Sequence, residues 1–282
     1  MEFYNNEAEI FVPDNAPVKG ALSRTTHMGI GAHQDDLELM ATHGILQCYE
    51  SEREWFFGVV ITDGRGSPRT GPYAAYSDEE IRQIRRQEQK KAAKLGKYGG
   101  VALLDYASFD VKNSQKLVLT DELQNLISAA RPDVIYTHNL ADKHDTHVAV
   151  SLMVIEALRK MPKYLHPIHV YGVEVWRGLD WLPDESKVVL DVSANPDLAA
   201  SLIKVHDSQV AGGKRYDLAV EGRKIANATF AETHAADKLK HALYALDLTS
   251  LIHNPHTDID EFIQHFIHDF SRDVTARIKN LL

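Results

Sequence analysis

The chain has 282 residues, 44% of them hydrophobic, a formal charge of −9 and a single cysteine, Cys48. The apolar share is enough for a sizeable core, the negative charge argues against a nucleic-acid partner, and one cysteine excludes an internal disulfide and any cysteine-based zinc centre. No window approaches about 18 apolar residues, so no membrane span is expected, and Met1–Glu7 lacks the basic and apolar regions of a leader, so a cytoplasmic location is expected.

Hydrophobic periodicity gives the elements in chain order. Strands are predicted at Thr26–Ala32, Trp55–Thr62, Val101–Leu104, Val134–Thr137, His169–Glu174 and Lys187–Asp191. Helices are predicted between them at Leu37–Glu50, Ser77–Leu95, Thr120–Ala129 and Thr146–Lys160. Ser77 with Glu80 is a capping-box start, and Leu95-Gly96 is a stop. The stretch Asp63–Tyr76, rich in glycine and proline, reads as a loop after the second strand. After Asp191 the pattern turns helical at Asp197–Val210, Ala219–Ala228 and Ala235–Leu246, with a final amphipathic stretch from about Asp258 to Leu282. Strand–helix alternation predicts an α/β fold, a Rossmann-like, mostly parallel sheet with helices on both faces. No composition shift marks a second domain. Residues 1–282 read as one domain, with a catalytic core over about 26–209 and a helical extension over about 210–282. The stripe Phe262, Phe266, Phe270 reads as helix packing or a subunit contact, which makes a homo-oligomer plausible.

Two clusters carry chemistry, and each closes a predicted strand, where α/β proteins bind ligands. The first is Ala32-His33-Gln34-Asp35-Asp36. His33 and Asp36 can point at one divalent ion, while Asp35 between them takes another direction and is free to act as a base. The second runs from His138 to His147, where His144 and His147 stand three apart. One of that pair can complete a His/Asp/His metal site with an open coordination position. The other would face the substrate and stabilise an oxyanion or protonate a leaving amine.

These blocks resemble a known family. Ala32-His33-Gln34-Asp35-Asp36 is similar to the Ala-His-Pro-Asp-Asp signature of the N-acetylglucosaminyl-phosphatidylinositol de-N-acetylases, the PIG-L or LmbE-like deacetylases. His144-Asp145-Thr146-His147 resembles the family's His-Pro-Asp-His run. Thr62-Asp63-Gly64, the Arg85–Glu88 helix ending in Leu95-Gly96, Val189–Ser193 and Lys204–Gln209 follow in the family's order. The resemblance implies that His33, Asp36 and His147 ligate Zn²⁺ at the C-terminal edge of the strands. It implies that Asp35 is the general base on the metal-bound water, and that His144 polarises the amide oxygen or steadies the oxyanion. The implied reaction removes an N-acetyl group from an N-acetylglucosamine-type amino sugar or its conjugate, a small-molecule substrate, and releases acetate. A metal-dependent amidase on a non-sugar acyl amine and a non-catalytic metal- or sugar-binding relative are the alternatives.

Gln34 replaces the signature proline, which restores an N–H donor and leaves the ligand spacing unchanged. Thr146 stands where the family has an aspartate that supports the substrate-facing histidine; Asp145 or Asp142 is the candidate stand-in. Arg65 and Arg69 on the loop are candidates for binding sugar hydroxyls or a phosphate, against a solvated loop. Arg85 and Glu88 are candidates for the pocket wall, against a plain helical pair. His206–Gln209 can lie behind the site or on the pocket floor, against a helix end with ordinary polar caps, and Trp176 or Trp181 can stack on a sugar ring, although core packing is the commoner fate of tryptophan.

Overall fold

The computed structural model describes residues 1–113, 116–232 and 234–282. Among the described residues, eight strands form one sheet in the order β1-β4-β3-β2-β5-β6-β8-β7. They are β1 (Glu9–Phe11), β2 (His27–Gly31), β3 (Phe56–Thr62), β4 (Gly100–Tyr106), β5 (Val134–His138), β6 (His169–Val173), β7 (Lys187–Asp191) and β8 (Ala242–Asp247). The central run β4-β3-β2-β5-β6 is parallel. β1 joins β4 antiparallel, and β8 lies antiparallel to both β6 and β7.

The helices are α1 (Val18–Ser23), α2 (Asp36–Met40), α3 (Thr42–Cys48), α4 (Asp78–Leu95), α5 (Ser108–Lys112), α6 (Lys116–Ala130), α7 (Asp145–Lys160), α8 (Pro196–Lys204), α9 (Asp207–Val210), α10 (Tyr216–Phe230), α11 (Thr249–His253) and α12 (Ile259–Leu281). β2, β3 and β4 are buried along their whole length, as strands with helices on both faces must be. The pleat divides the core in two. Val59 and Ile61 enter one apolar cluster, with Leu123 and Val154 from α6 and α7. Phe56 and Val60 enter the other, with Ile45 and Ala92 from α3 and α4. α4 begins with the expected capping box between Ser77 and Glu80.

The chain leaves β2 toward β3 and β4 on one side and returns to β5 and β6 on the other. The C-terminal ends of β2 and β5 therefore flank the switch point, where a crevice opens in this kind of sheet. Both His/Asp clusters start there.

The structure corrects several sequence expectations. Ala235–Leu246 is not a helix: residues 242–247 form β8, buried between β6 and β7. Alanine and leucine favour helix locally, but a short apolar run takes the strand geometry that its neighbours complete. The segment read as a helical extension thus supplies part of the sheet. Leu37–Glu50 is broken at Ala41 into α2 and α3, and Asp197–Val210 is broken at Val205-His206 into α8 and α9. Lys187–Asp191 is an edge strand and pairs antiparallel. β1 and α1 were not expected from the pattern. The aromatic stripe of α12 divides: Phe262 and Phe266 pack against the core, whereas Phe270 is 40% exposed. Among the described residues, no helix is long and apolar enough to cross a membrane.

Candidate metal centre and active site

β2 ends at Gly31, and the chain turns directly into α2. A side chain at Gly31 would bring its Cβ within 3.0 Å of the Asp36 Cβ, so glycine permits the tight return. The turn is made at Asp35, whose φ of 106° lies in a region that L-residues rarely adopt. Its neighbours hold it there. The Asp35 N–H donates to Gln89 Oε1 at 3.3 Å, and the Gln34 carbonyl accepts from Arg85 Nη2. Gln34 itself is used: its Nε2 donates to the Thr62 carbonyl at 2.8 Å, tying this turn to the end of β3. A proline could not make that bond.

Three ligand atoms converge. His33 Nδ1 lies 3.2 Å from Asp36 Oδ2, His147 Nε2 lies 3.3 Å from His33 Nδ1, and His147 Nε2 lies 3.5 Å from Asp36 Oδ2. Asp36 is fixed by a 2.7 Å bond from the His33 backbone N–H. His147 is fixed by Asp142, whose Oδ2 accepts from Nδ1 at 3.2 Å. That bond places the proton on Nδ1 and leaves the Nε2 lone pair facing His33 and Asp36. Donors about 2.0–2.1 Å from a tetrahedral zinc would stand ~3.3 Å apart. The observed triangle fits such an ion, and two imidazoles beside a carboxylate are a donor set suited to it.

His138, Asp142 and His147 form a second possible group. His138 Nε2 already accepts the Ala32 N–H at 2.9 Å, and the ring stacks on His147 with centroids 3.8 Å apart. Asp142 also takes the Val175 N–H at 3.0 Å and the His144 N–H at 3.2 Å. Neither residue reaches the pocket, whereas His33, Asp36 and His147 all line it. His138 and Asp142 therefore support the first group rather than compete with it.

The electrostatics follow from burial and neighbours. Burial opposes ionisation of Asp36, but the imidazoles of His147 and His138 outweigh it and hold the carboxyl well below its usual range. Burial pushes Asp35 up to about 7, against the pull of the Arg85 guanidinium, 3.5 Å away. Burial holds His33 and His138 at about 4. For His147 burial is outweighed by Asp36 and Asp142, and the pKa is raised. Behind Asp35 lies a buried network. Glu38 accepts from Tyr98 OH at 2.7 Å and Gln89 Nε2 at 2.8 Å, and pairs with His206 Nε2 at 3.0 Å. His206, at the start of α9, thus lies behind the site.

The pocket is a cleft of about 490 Å³. His144 lines it, with its ring 5.0 Å edge-on from His33. The stand-ins expected for the missing aspartate at 146 do not reach it. Asp142 gives its carboxylate to His147 and to backbone N–H groups, Asp145 is exposed, and the His144 Nδ1 and Thr146 Oγ1 atoms are buried without a partner among the described residues. His144 accordingly sits below its ordinary value, through burial and the charge of His147.

The other candidates fall differently. Arg85 lines the pocket, but it does not pair with Glu88. Its guanidinium reaches Gln34 O, Gly64 O and Ser67 Oγ, while Glu88 accepts from the Ser208 N–H and hydroxyl at 2.7 and 2.6 Å. Arg65 turns back onto Asp63 at 2.6 Å, and Arg69 pairs with Asp78 and the Tyr76 carbonyl. Neither arginine is on the pocket wall, because the loop carries its Gly66–Pro68 segment inward instead. Trp176 does line the pocket; Trp181 packs on the core and donates to Glu174 at 3.0 Å. Sequence reasoning missed Glu38 and Gln89, and it placed His138 in the second cluster without giving it a role. An acid on the apolar face of α2 was the one available signal for Glu38.

Two histidines and two carboxylates thus meet in one pocket at the switch point of a parallel sheet. Residues 28–158 match the family model described as PIG-L: GlcNAc-PI de-N-acetylase, so the resemblance carried by the two signatures is shown for that segment. The fold is similar to N,N'-diacetylchitobiose deacetylase from Pyrococcus horikoshii (15% identity, 88% of this chain and 92% of that one, TM-score 0.64). It is also similar to a teicoplanin deacetylase solved in a zinc-inhibited form (14% identity, 79% and 97%, TM-score 0.59). The 4-carboxy-2-hydroxymuconate hydratase of Pseudomonas putida shares it too (17% identity, 79% and 96%, TM-score 0.63), so the fold by itself does not choose the reaction. No curated protein matches the chain by sequence. De-N-acetylation, hydrolysis of an amide C–N bond, is the activity named for the matched family model and for two of these neighbours.

Proposed function

We propose that this protein is a zinc-dependent deacetylase of an N-acetylated amino sugar or its conjugate. The observation that carries the reading is the convergence of His33 Nδ1, Asp36 Oδ2 and His147 Nε2 to 3.2–3.5 Å at the base of a pocket, with Asp35 beside them. These three residues would hold the metal. When bound, a divalent ion polarises an amide carbonyl and makes water a stronger acid. Asp35 borders the pocket and would take the proton of the attacking water on its carboxylate. His144, on another wall, would as the imidazolium donate to the carbonyl oxygen as charge builds there and give that proton to the leaving nitrogen, becoming neutral. Arg85 orients Asp35 through their 3.5 Å ion pair and through the Gln34 carbonyl. Trp176 and Tyr216, with rings 6.0 Å apart, offer apolar surface to a sugar.

The test is acetate release from free N-acetylglucosamine, chito-oligomers and lipid-linked N-acetylglucosamine, with protein stripped by chelator and then titrated with zinc. Activity that returns near one equivalent of zinc supports the reading. Release of no acetate at any zinc level from any of these substrates would contradict it.

A further inference from the structure

α12 runs for 23 residues, and the side chains that pack on the core, Ile259, Phe262, Ile263 and Phe266, all belong to its first half. The apolar stripe does not stop there. Ile267, Phe270, Val274, Ile278 and Leu281 continue it, and their exposure runs from 39% at Ile267 to 88% at Leu281. With 3.6 residues per turn, these five fall within about 80° of arc on the helix surface. A continuous apolar strip left on the surface marks a contact with something else.

Two features of the strip say what covers it. The first is its spacing. The steps from Ile267 to Leu281 are 3, 4, 4 and 3 residues, so the strip reads the same in both directions about Val274. A second α12 laid antiparallel across it sets Val274 on Val274, Phe270 against Ile278 and Ile267 against Leu281, all at once. A contact between identical surfaces requires this self-complementarity. The second feature is charge. Asp273 and Arg277 border the strip on one side and pair with each other at 3.0 Å, with Arg277 76% and Asp273 48% exposed in their side chains. In the antiparallel arrangement the same sides of the two helices meet, and Arg277 of one copy stands within about 3 Å, along the axis, of Asp273 of the other. Each ion pair thus gains the opposite charges of its copy. A parallel pair would set Arg277 level with Arg277 and Asp273 level with Asp273. A groove of about 490 Å³ lies beside Phe270, Val274 and Ile278, with Leu182 and Pro183 in its lining, and gives side chains of a second helix a seat next to the strip.

We propose that the protein associates as a two-fold dimer through an antiparallel contact between the second halves of two α12 helices, centred on Val274. The occupant of the strip is a second copy of this chain.

The experiment is sedimentation equilibrium of the full chain over a range of concentrations, with variants at exposed positions. Wild type should reach twice the single-chain mass of 31.7 kDa. Val274→Lys sets two ammonium groups on the axis and should weaken the dimer at least about tenfold, with an unchanged circular dichroism spectrum. Oxidised Val274→Cys should form a disulfide-linked dimer, whereas Arg272→Cys, on the opposite side of the helix, should not. The cross-link decides alone if Val274→Lys does not fold. A single-chain mass at every concentration overturns the proposal. So does a dimer that a folded Val274→Lys leaves intact, or a Val274→Cys that cross-links no more than Arg272→Cys. Single chains that float with phosphatidylcholine vesicles also overturn it and give the strip to a lipid surface.

Discussion

Asp142 accepts the Nδ1 proton of His147 at 3.2 Å and does so on the side of the ring away from His33 and Asp36. Burial works against its charge, but the bond and charge of His147 and the Val175 N–H hold it down at about 2. Such a carboxylate behind a ligating imidazole fixes both tautomer and aim. Asp142→Ala should therefore weaken zinc binding by about 10–100-fold, read by competition with a chromophoric chelator on protein shown to be folded. Unchanged affinity would mean that Asp142 only braces the Val175–Trp176 backbone.

Glu38 is 1% exposed and gathers Tyr98, Gln89 and His206. Glu38→Gln keeps the shape but replaces one acceptor with a donor that faces donors. We expect a loss of about 1–3 kcal/mol in unfolding free energy. Turnover should fall as well, because Gln89 loses the anchor through which it holds the Asp35 N–H. Denaturant melts with zinc-loaded protein and kcat on one preparation test both parts.

Thr146→Asp should restore a carboxylate near His144, whose buried Nδ1 has no partner among the described residues. A carboxylate there favours the imidazolium, so the basic limb of the kcat/KM–pH profile should move to higher pH. A profile that scales without shifting would show that His144 does not set that limb.

His43 bonds the Tyr136 hydroxyl at 2.7 Å, far from the pocket wall, and burial with the nearby charge of His27 lowers it to about 4. The unfolded chain, with its histidine near 6.5, binds the proton first. The stability due to neutral His43 is therefore complete above about pH 6.5 and is lost as the pH falls toward 4. The Tm advantage of wild type over His43→Gln should shrink across that window; parallel Tm curves would contradict the assignment.

Much of this was legible in the sequence, for definite reasons. β2 and β5 are mostly apolar runs, so the histidines and acids that close or follow them had to emerge at one edge of a parallel sheet. What escaped depends on direction rather than position. Arg65 and Arg69 sit on the right loop, but only the folded chain shows that they turn back to Asp63 and Asp78. Asp142 lies in the right cluster, but sequence cannot tell whether it serves His144 or His147. Ala242–Asp247 could satisfy either period, and only the gap between β6 and β7 makes it a strand.

The central claim is that Asp35 acts as the base beside a metal that it does not bind. Asp35→Asn and wild type, each loaded with zinc, should be compared for bound metal and for acetate released from the best substrate. The account predicts equal zinc content with acetate release reduced at least about 10²–10⁴-fold. A variant that deacetylates at the wild-type rate, or one that no longer holds zinc, would contradict it.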